Sequence, residues 1–188
     1  MKIALIILIV LAVVAVGCGM KISSTYNQLV AERNTIERNW HDVDVMLERR
    51  ADLIPNLVET VKGYAQHESG AIQAVANARA ALMGARTPAD RMSANTQLDG
   101  ALGRLLVVVE NYPNLKADEQ FRNLQFELAG AENRIAQERR RYNESVQRFN
   151  TDLELFPNNL FAGMLGFSKH SAYFTAEAGA REVPKVKF

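Results

Sequence analysis

The sequence predicts an all-α protein, an up-and-down four-helix bundle behind an N-terminal transmembrane or signal-anchor helix. Three observations predict it. Residues Ile3 to Met20 carry no charge. Behind them, apolar residues recur in alternating steps of four and three as far as Phe156, the spacing of a helix seam. Period-two alternation bounded by turn residues, the mark of strands, is essentially missing.

The bulk numbers agree. At 188 residues the chain suits one domain with a real core. It is 48% hydrophobic and 23% charged with five prolines, a composition that packs rather than stays disordered. A net charge of +1 provides no long-range field to gather nucleic acid, so none is expected as a partner. The one cysteine, Cys18, allows neither a disulfide framework nor a thiolate metal site.

Residues 1–21 form the first segment. As helix, the uncharged run is roughly 27 Å long, close to the ~30 Å hydrocarbon core of a bilayer. Lys2, the apolar run and the small residues Gly17-Cys18-Gly19 also resemble a lipoprotein-type signal, in which Cys18 would be lipidated. Ala15 stands three before the cysteine, where such signals usually carry leucine. A retained anchor, a lipid anchor and a cleaved signal therefore stay open. The last option includes a merely buried segment; all three are read as placing the body beside a membrane or sending it through one, and the signal-like opening favours an extracytoplasmic body.

Residues 22–157 form the expected bundle. The first helix carries Ile22, Tyr26, Leu29, Arg33, Ile36, Trp40, Val43 and Leu47 on one seam and is expected to end near Ala51. A proline inside a helix costs on the order of 3 kcal/mol but almost nothing in a first turn. Asp52 to Pro55 is therefore read as a corner, with a kinked continuous helix as the alternative. The second helix runs through Ile54, Val58, Val61, Ala65, Glu68, Ile72, Val75, Arg79 and Leu82 to Gly84. Thr87-Pro88-Ala89-Asp90 then supplies a cap, a first-turn proline and an acid that reaches back. The third helix shows Leu98, Leu102, Leu105 and Val109 on one face and stops before Pro113, and Asn114 is expected to open the next. The fourth is the longest, from Phe121 through Ile135 and Tyr142 to Phe156, and Pro157 ends it. Helices of roughly 30, 30, 25 and 40 residues joined by short corners describe the bundle.

Five charged residues occupy seam positions: Arg33, Glu68, Arg79, Glu132 and Arg139. A di-iron type of centre would need Glu-x-x-His pairs on facing helices. His41, His67 and His170 instead have Arg38, Tyr64 and Phe167 three residues upstream. The serines lie in no glycine-flanked elbow, and no glycine-rich phosphate loop precedes a helix. No catalytic residue, cofactor site or metal site is expected. The seam charges are read as partners that pair across the bundle and fix its register, or else as the walls of a polar groove.

Residues 158–188 form an aromatic-rich tail. Phe161 to Phe167 is apolar with two glycines, and Tyr173 and Phe174 follow. This stretch is read either as a lid over the end of the bundle or as a contact loop made by Phe161, Met164, Leu165, Phe167, Tyr173 and Phe174. Residues 184 to 188 read as a frayed or strand-like end able to reach a partner.

Several separated runs stand in one order: Tyr26 to Val30, Trp40 to Val45, Arg49 to Val58, Val61 to Ala65 with His67-Glu68, Ala78-Arg79, Glu110 to Pro113, Leu115-Lys116 and Glu132 to Ala136. Tyr142-Asn143, Phe156 to Asn159, Gly166-Phe167 and Tyr173-Phe174 follow. In these runs the chain resembles the LemA family of bacterial membrane-associated proteins. The resemblance implies a plain transmembrane helix, from which Gly17-Cys18 departs, and a helical bundle without an established enzymatic activity. The expected function is a non-enzymatic scaffold or adaptor of the bacterial envelope that contacts membrane proteins, with proteases and quality-control factors as candidate partners. A tether makes even weak contacts count by raising effective concentration. The alternative is a lipid-contacting, self-assembling protein that organises the membrane, for which a homo-oligomer is expected.

Overall fold

The computed structural model describes residues 2–174, and the expectation for residues 184 to 188 lies outside them. Every element among the described residues is helical: α1 (Lys2–Tyr64), α2 (Ser69–Gly84), α3 (Pro88–Val109), α4 (Pro113–Ala117), α5 (Glu119–Glu154) and α6 (Asn158–Phe161). No strand occurs among these residues.

The largest correction concerns the first corner. Pro55 lies inside α1, a helix of 63 residues, and the chain does not turn at Asp52 to Pro55. Burial decides the outcome. Leu47, Ile54, Leu57 and Val61 are all buried on the same side, and each contributes about 1.5–3 kcal/mol, together more than the ~3 kcal/mol that a mid-helix proline costs. The turn comes instead between Tyr64 and Ser69, in a stretch flanked by Gly63 and Gly70, residues that disfavour helix interiors. There the Ala65 amide donates to the Val61 carbonyl at 2.8 Å and the Glu68 amide to Ala65 at 3.1 Å.

The later boundaries follow the local chemistry more closely. Gly84 closes α2. Thr87 caps α3: its Oγ1 accepts the Asp90 amide and donates to the Asp90 carboxylate at 2.7 Å, with Pro88 in the first turn. Asn114 does not open the fourth helix. Pro113 starts the short α4, and Asp118 then caps α5 by accepting the Phe121 amide at 2.8 Å. α5 ends at Glu154, ahead of Pro157.

The chain divides into two compact units. Unit one comprises α1 as far as Asn39 together with Glu144–Ser171. Its buried residues include Leu29, Ile36, Val146, Phe149, Leu153 and Ala162. Phe167 packs within it, with its ring 5.7 Å from Tyr26 and 6.3 Å from Phe149 and the Arg33 guanidinium 5.9 Å above. Unit two comprises Trp40–Asn143 and, among the described residues, 172–174. Its core is drawn from α1, α2, α3 and α5, with Val43, Ile54, Val75, Leu82, Leu98, Leu105, Phe121 and Ile135 among the buried residues.

Candidate functional site

Each seam charge has a partner, though not always an opposite charge. Proline has no amide hydrogen, so in α1 the carbonyl four residues before Pro55, that of Ala51, loses its helical donor. Arg79 of α2 replaces it, donating from Nε to the Ala51 oxygen at 2.8 Å. Glu68 accepts from the Tyr112 hydroxyl at 3.1 Å, which raises the Tyr112 pKa above its ordinary value. Arg33 lies over the Phe167 ring. Only Glu132 and Arg139 form an ion pair among themselves, at 3.9 Å.

The densest polar cluster centres on Arg50, which the expected corner had set at a helix end. It is 6% exposed. Its Nη1 lies 2.5 Å from Asp99, 2.8 Å from Glu132 and 3.2 Å from the Asn95 side-chain oxygen, and Asn95 donates in turn to Asp99 at 2.9 Å. One guanidinium therefore ties α1 to α3 and α5. Such a pair around a buried guanidinium adds little net stability, but losing its partners would strand the Arg50 charge. The seam itself carries the signal that reveals this residue: steps of three and four from Leu47 land on Arg50 and then Ile54 once the helix is continued through Pro55.

Beside this cluster a cleft of about 190 Å³ lies between Met92 to Asp99 of α3 and Arg139, Tyr173 and Phe174. The Arg139 guanidinium is 5.0 Å from the centre of the Phe174 ring, within cation–π range. Phe174 also stacks on Trp40 at 6.0 Å and meets Tyr142 edge-on at 5.8 Å. Its backbone is held in both directions by one side chain: Asn143 donates to the Phe174 carbonyl at 2.8 Å and accepts from its amide at 3.0 Å. The Tyr142 hydroxyl donates to the Ala172 carbonyl, and burial pushes its pKa up to about 12, so it remains a donor through the neutral range. Ala172 and Phe174 thus gain the backbone partners that a β-ladder would otherwise provide.

Outside the cluster, Arg91 of α3 pairs with Asp44 of α1 at 2.9 Å. Burial nevertheless pushes the Asp44 carboxyl above its usual range, because desolvation outweighs that attraction. The amide of Phe121 and the Tyr64 hydroxyl hold the Asp118 carboxyl below its usual range.

The residues singled out in the sequence divide between the two units. Phe161, Leu165 and Phe167 are half-buried in unit one and Met164 is exposed. Tyr173 and Phe174 are half-buried in unit two. Cys18 is exposed within the uncovered apolar part of α1. That part, within Lys2 to Met20, belongs to the one helix among the described residues long and apolar enough to cross a membrane, and none of its apolar window is buried.

Comparison with known proteins gives this architecture its relatives. The model of the LemA family matches residues 39–188. The chain belongs to the LemA family. Magnetosome protein MamQ 2 of Paramagnetospirillum magneticum is 28% identical over 97% of this chain and 75% of its own length. Magnetosome protein MamQ of Magnetospirillum gryphiswaldense is 25% identical over 82% and 66%. Protein LemA of Metamycoplasma hominis is 24% identical over 85% and 71%. The matches to both MamQ and LemA span most of this LemA-family chain, and with the uncovered apolar helix they support membrane association. None of these relatives carries the name of an enzyme.

Proposed function

We propose that the protein is a non-enzymatic, membrane-tethered helical scaffold that contacts other envelope proteins, with its body on the extracytoplasmic side. The observation that supports this reading is the use made of the charges between the helices. The buried Arg50 pairs with the half-buried Asp99 and Glu132, and the half-buried Arg79 serves a backbone carbonyl. These groups join the helices of unit two, and α1 itself continues directly from an uncovered apolar run. A helical body on a tether suits a protein that presents surfaces to neighbours in the plane of a membrane. Unit two leaves Val107 of α3 71% exposed and Phe126 of α5 82% exposed, and these are the side chains we assign to partner contact. Relatives named as magnetosome proteins fit a component that serves an assembly. Membrane proteases and quality-control factors are the first partners to test.

Photo-crosslinking from positions 107 and 126 in native membranes tests the proposal. Recovery of other membrane proteins is expected. Recovery of the protein only with itself would overturn the adaptor reading in favour of self-assembly. The intact mass of the mature chain separates a lipidated Cys18 from a retained anchor and from a cleaved one.

A further inference from the structure

Unit one carries an apolar surface that its own core does not use. From Leu155 to Ser168 the chain has no charged residue. Within that stretch Leu155, Phe156, Leu160 and Met164 are 52%, 79%, 57% and 86% exposed. Four large apolar side chains open to water in so short a segment call for a covering partner. The two charges that bracket the stretch, Glu154 and Lys169, pair with each other, so the segment presents no net charge at its ends.

Its place in the fold identifies what covers it. The stretch is fastened to α1 at Thr25, which is 2% exposed and whose hydroxyl donates to the Asn158 side-chain oxygen at 3.1 Å. Asn158 donates in turn to the Asp152 carbonyl, and Ala162 is buried. Thr25 stands five residues beyond Met20, the last residue of the uncharged run. At 1.5 Å per residue that is roughly 7.5 Å along the helix axis. The headgroup layer on each side of a bilayer is about 5–8 Å thick, half the difference between its total thickness and its hydrocarbon core. If the apolar run of α1 spans the hydrocarbon, Asn158 sits at headgroup depth.

We propose that Leu155, Phe156, Leu160 and Met164 form an interfacial hook that inserts into the headgroup layer of the bilayer spanned by α1 and fixes the helix at its exit. Aromatic and aliphatic side chains gain by burial at that depth, and the segment has no charge to desolvate. The proposal rests on the membrane tether proposed above and adds a second lipid contact to it.

The test uses the full chain in phosphatidylcholine–phosphatidylglycerol vesicles, with single nitroxide labels introduced by Phe156→Cys, Leu160→Cys, Met164→Cys, Val10→Cys or Phe126→Cys in a Cys18→Ser background. Accessibility to oxygen, which concentrates in lipid, is compared with accessibility to a water-soluble nickel chelate. Labels at 156, 160 and 164 are expected to favour oxygen several-fold over the label at 126, and the label at 10 more strongly still. Labels at 156, 160 and 164 as open to nickel as the one at 126, with the label at 10 in lipid, would overturn the hook and leave the tether intact. A water-exposed label at 10 would overturn both. Shielding of 156, 160 and 164 from both reagents would show protein covering the surface, and would also overturn the proposal.

Discussion

Arg79 and Pro55 show how a single residue's defect is made good from another helix. A buried carbonyl without a donor costs about 1–3 kcal/mol, and Ala51 is fully buried. Arg79→Ala is therefore expected to destabilise the protein by about 1–3 kcal/mol. In a Pro55→Ala background, where a helical amide again reaches the Ala51 oxygen, the same substitution is expected to cost distinctly less. Denaturant titration of the four variants measures the difference, and equal costs in both backgrounds would refute the account. Glu32 poses a different residue-scale problem. Burial, reinforced by the neighbouring Asp152 carboxyl, pushes its carboxyl above 4.5. The folded state then binds the proton more tightly than the unfolded chain, so stability falls as pH rises from 4.5 through the raised value, and the deficit persists at neutral pH. Glu32→Gln is expected to flatten that part of the profile and raise the neutral melting temperature. A profile as steep as that of the parent would argue against the assignment.

At the scale of elements, local and distant signals separate cleanly. The start of α3 was legible because Thr87, Pro88 and Asp90 act within one turn. Replacing Thr87 by alanine should cost about 0.5–2 kcal/mol and by serine far less, read as a shift in the thermal midpoint. Pro157 was legible for the same reason. Pro55 was not, because the donor that lets the helix continue comes from Arg79 of α2, 24 positions along the chain from the proline. The seam held the missing information, since the register through Leu47, Arg50 and Ile54 never breaks. Reading the proline as a stop hid Arg50 and with it the middle of the candidate site. Asp118 was overlooked because Asn114 offered an equally good local start. The clamp of Asn143 on Phe174 could not be read at all, since nothing in the spacing of an asparagine shows which distant backbone it holds.

On the scale of the whole molecule, the apolar start of the chain and the body place separate demands on α1. No residue of α1 before Thr25 is buried, so removing residues 1–21 should take nothing from either core. The shortened chain is expected to keep its helical circular dichroism and melting temperature and to move from the membrane pellet to the soluble fraction. Loss of cooperative melting would show that the leading segment does more than tether. The continuity of α1 has one further mechanical result. With no break from residue 2 to residue 64, nothing near Met20 can swivel, and each helical residue turns the chain by about 100°. Under the span and hook proposed above, one alanine inserted between Met20 and Thr25 would swing the hook to another side of the shaft and push it about 1.5 Å outward, so counting residues would set the azimuth of α1 in a bilayer.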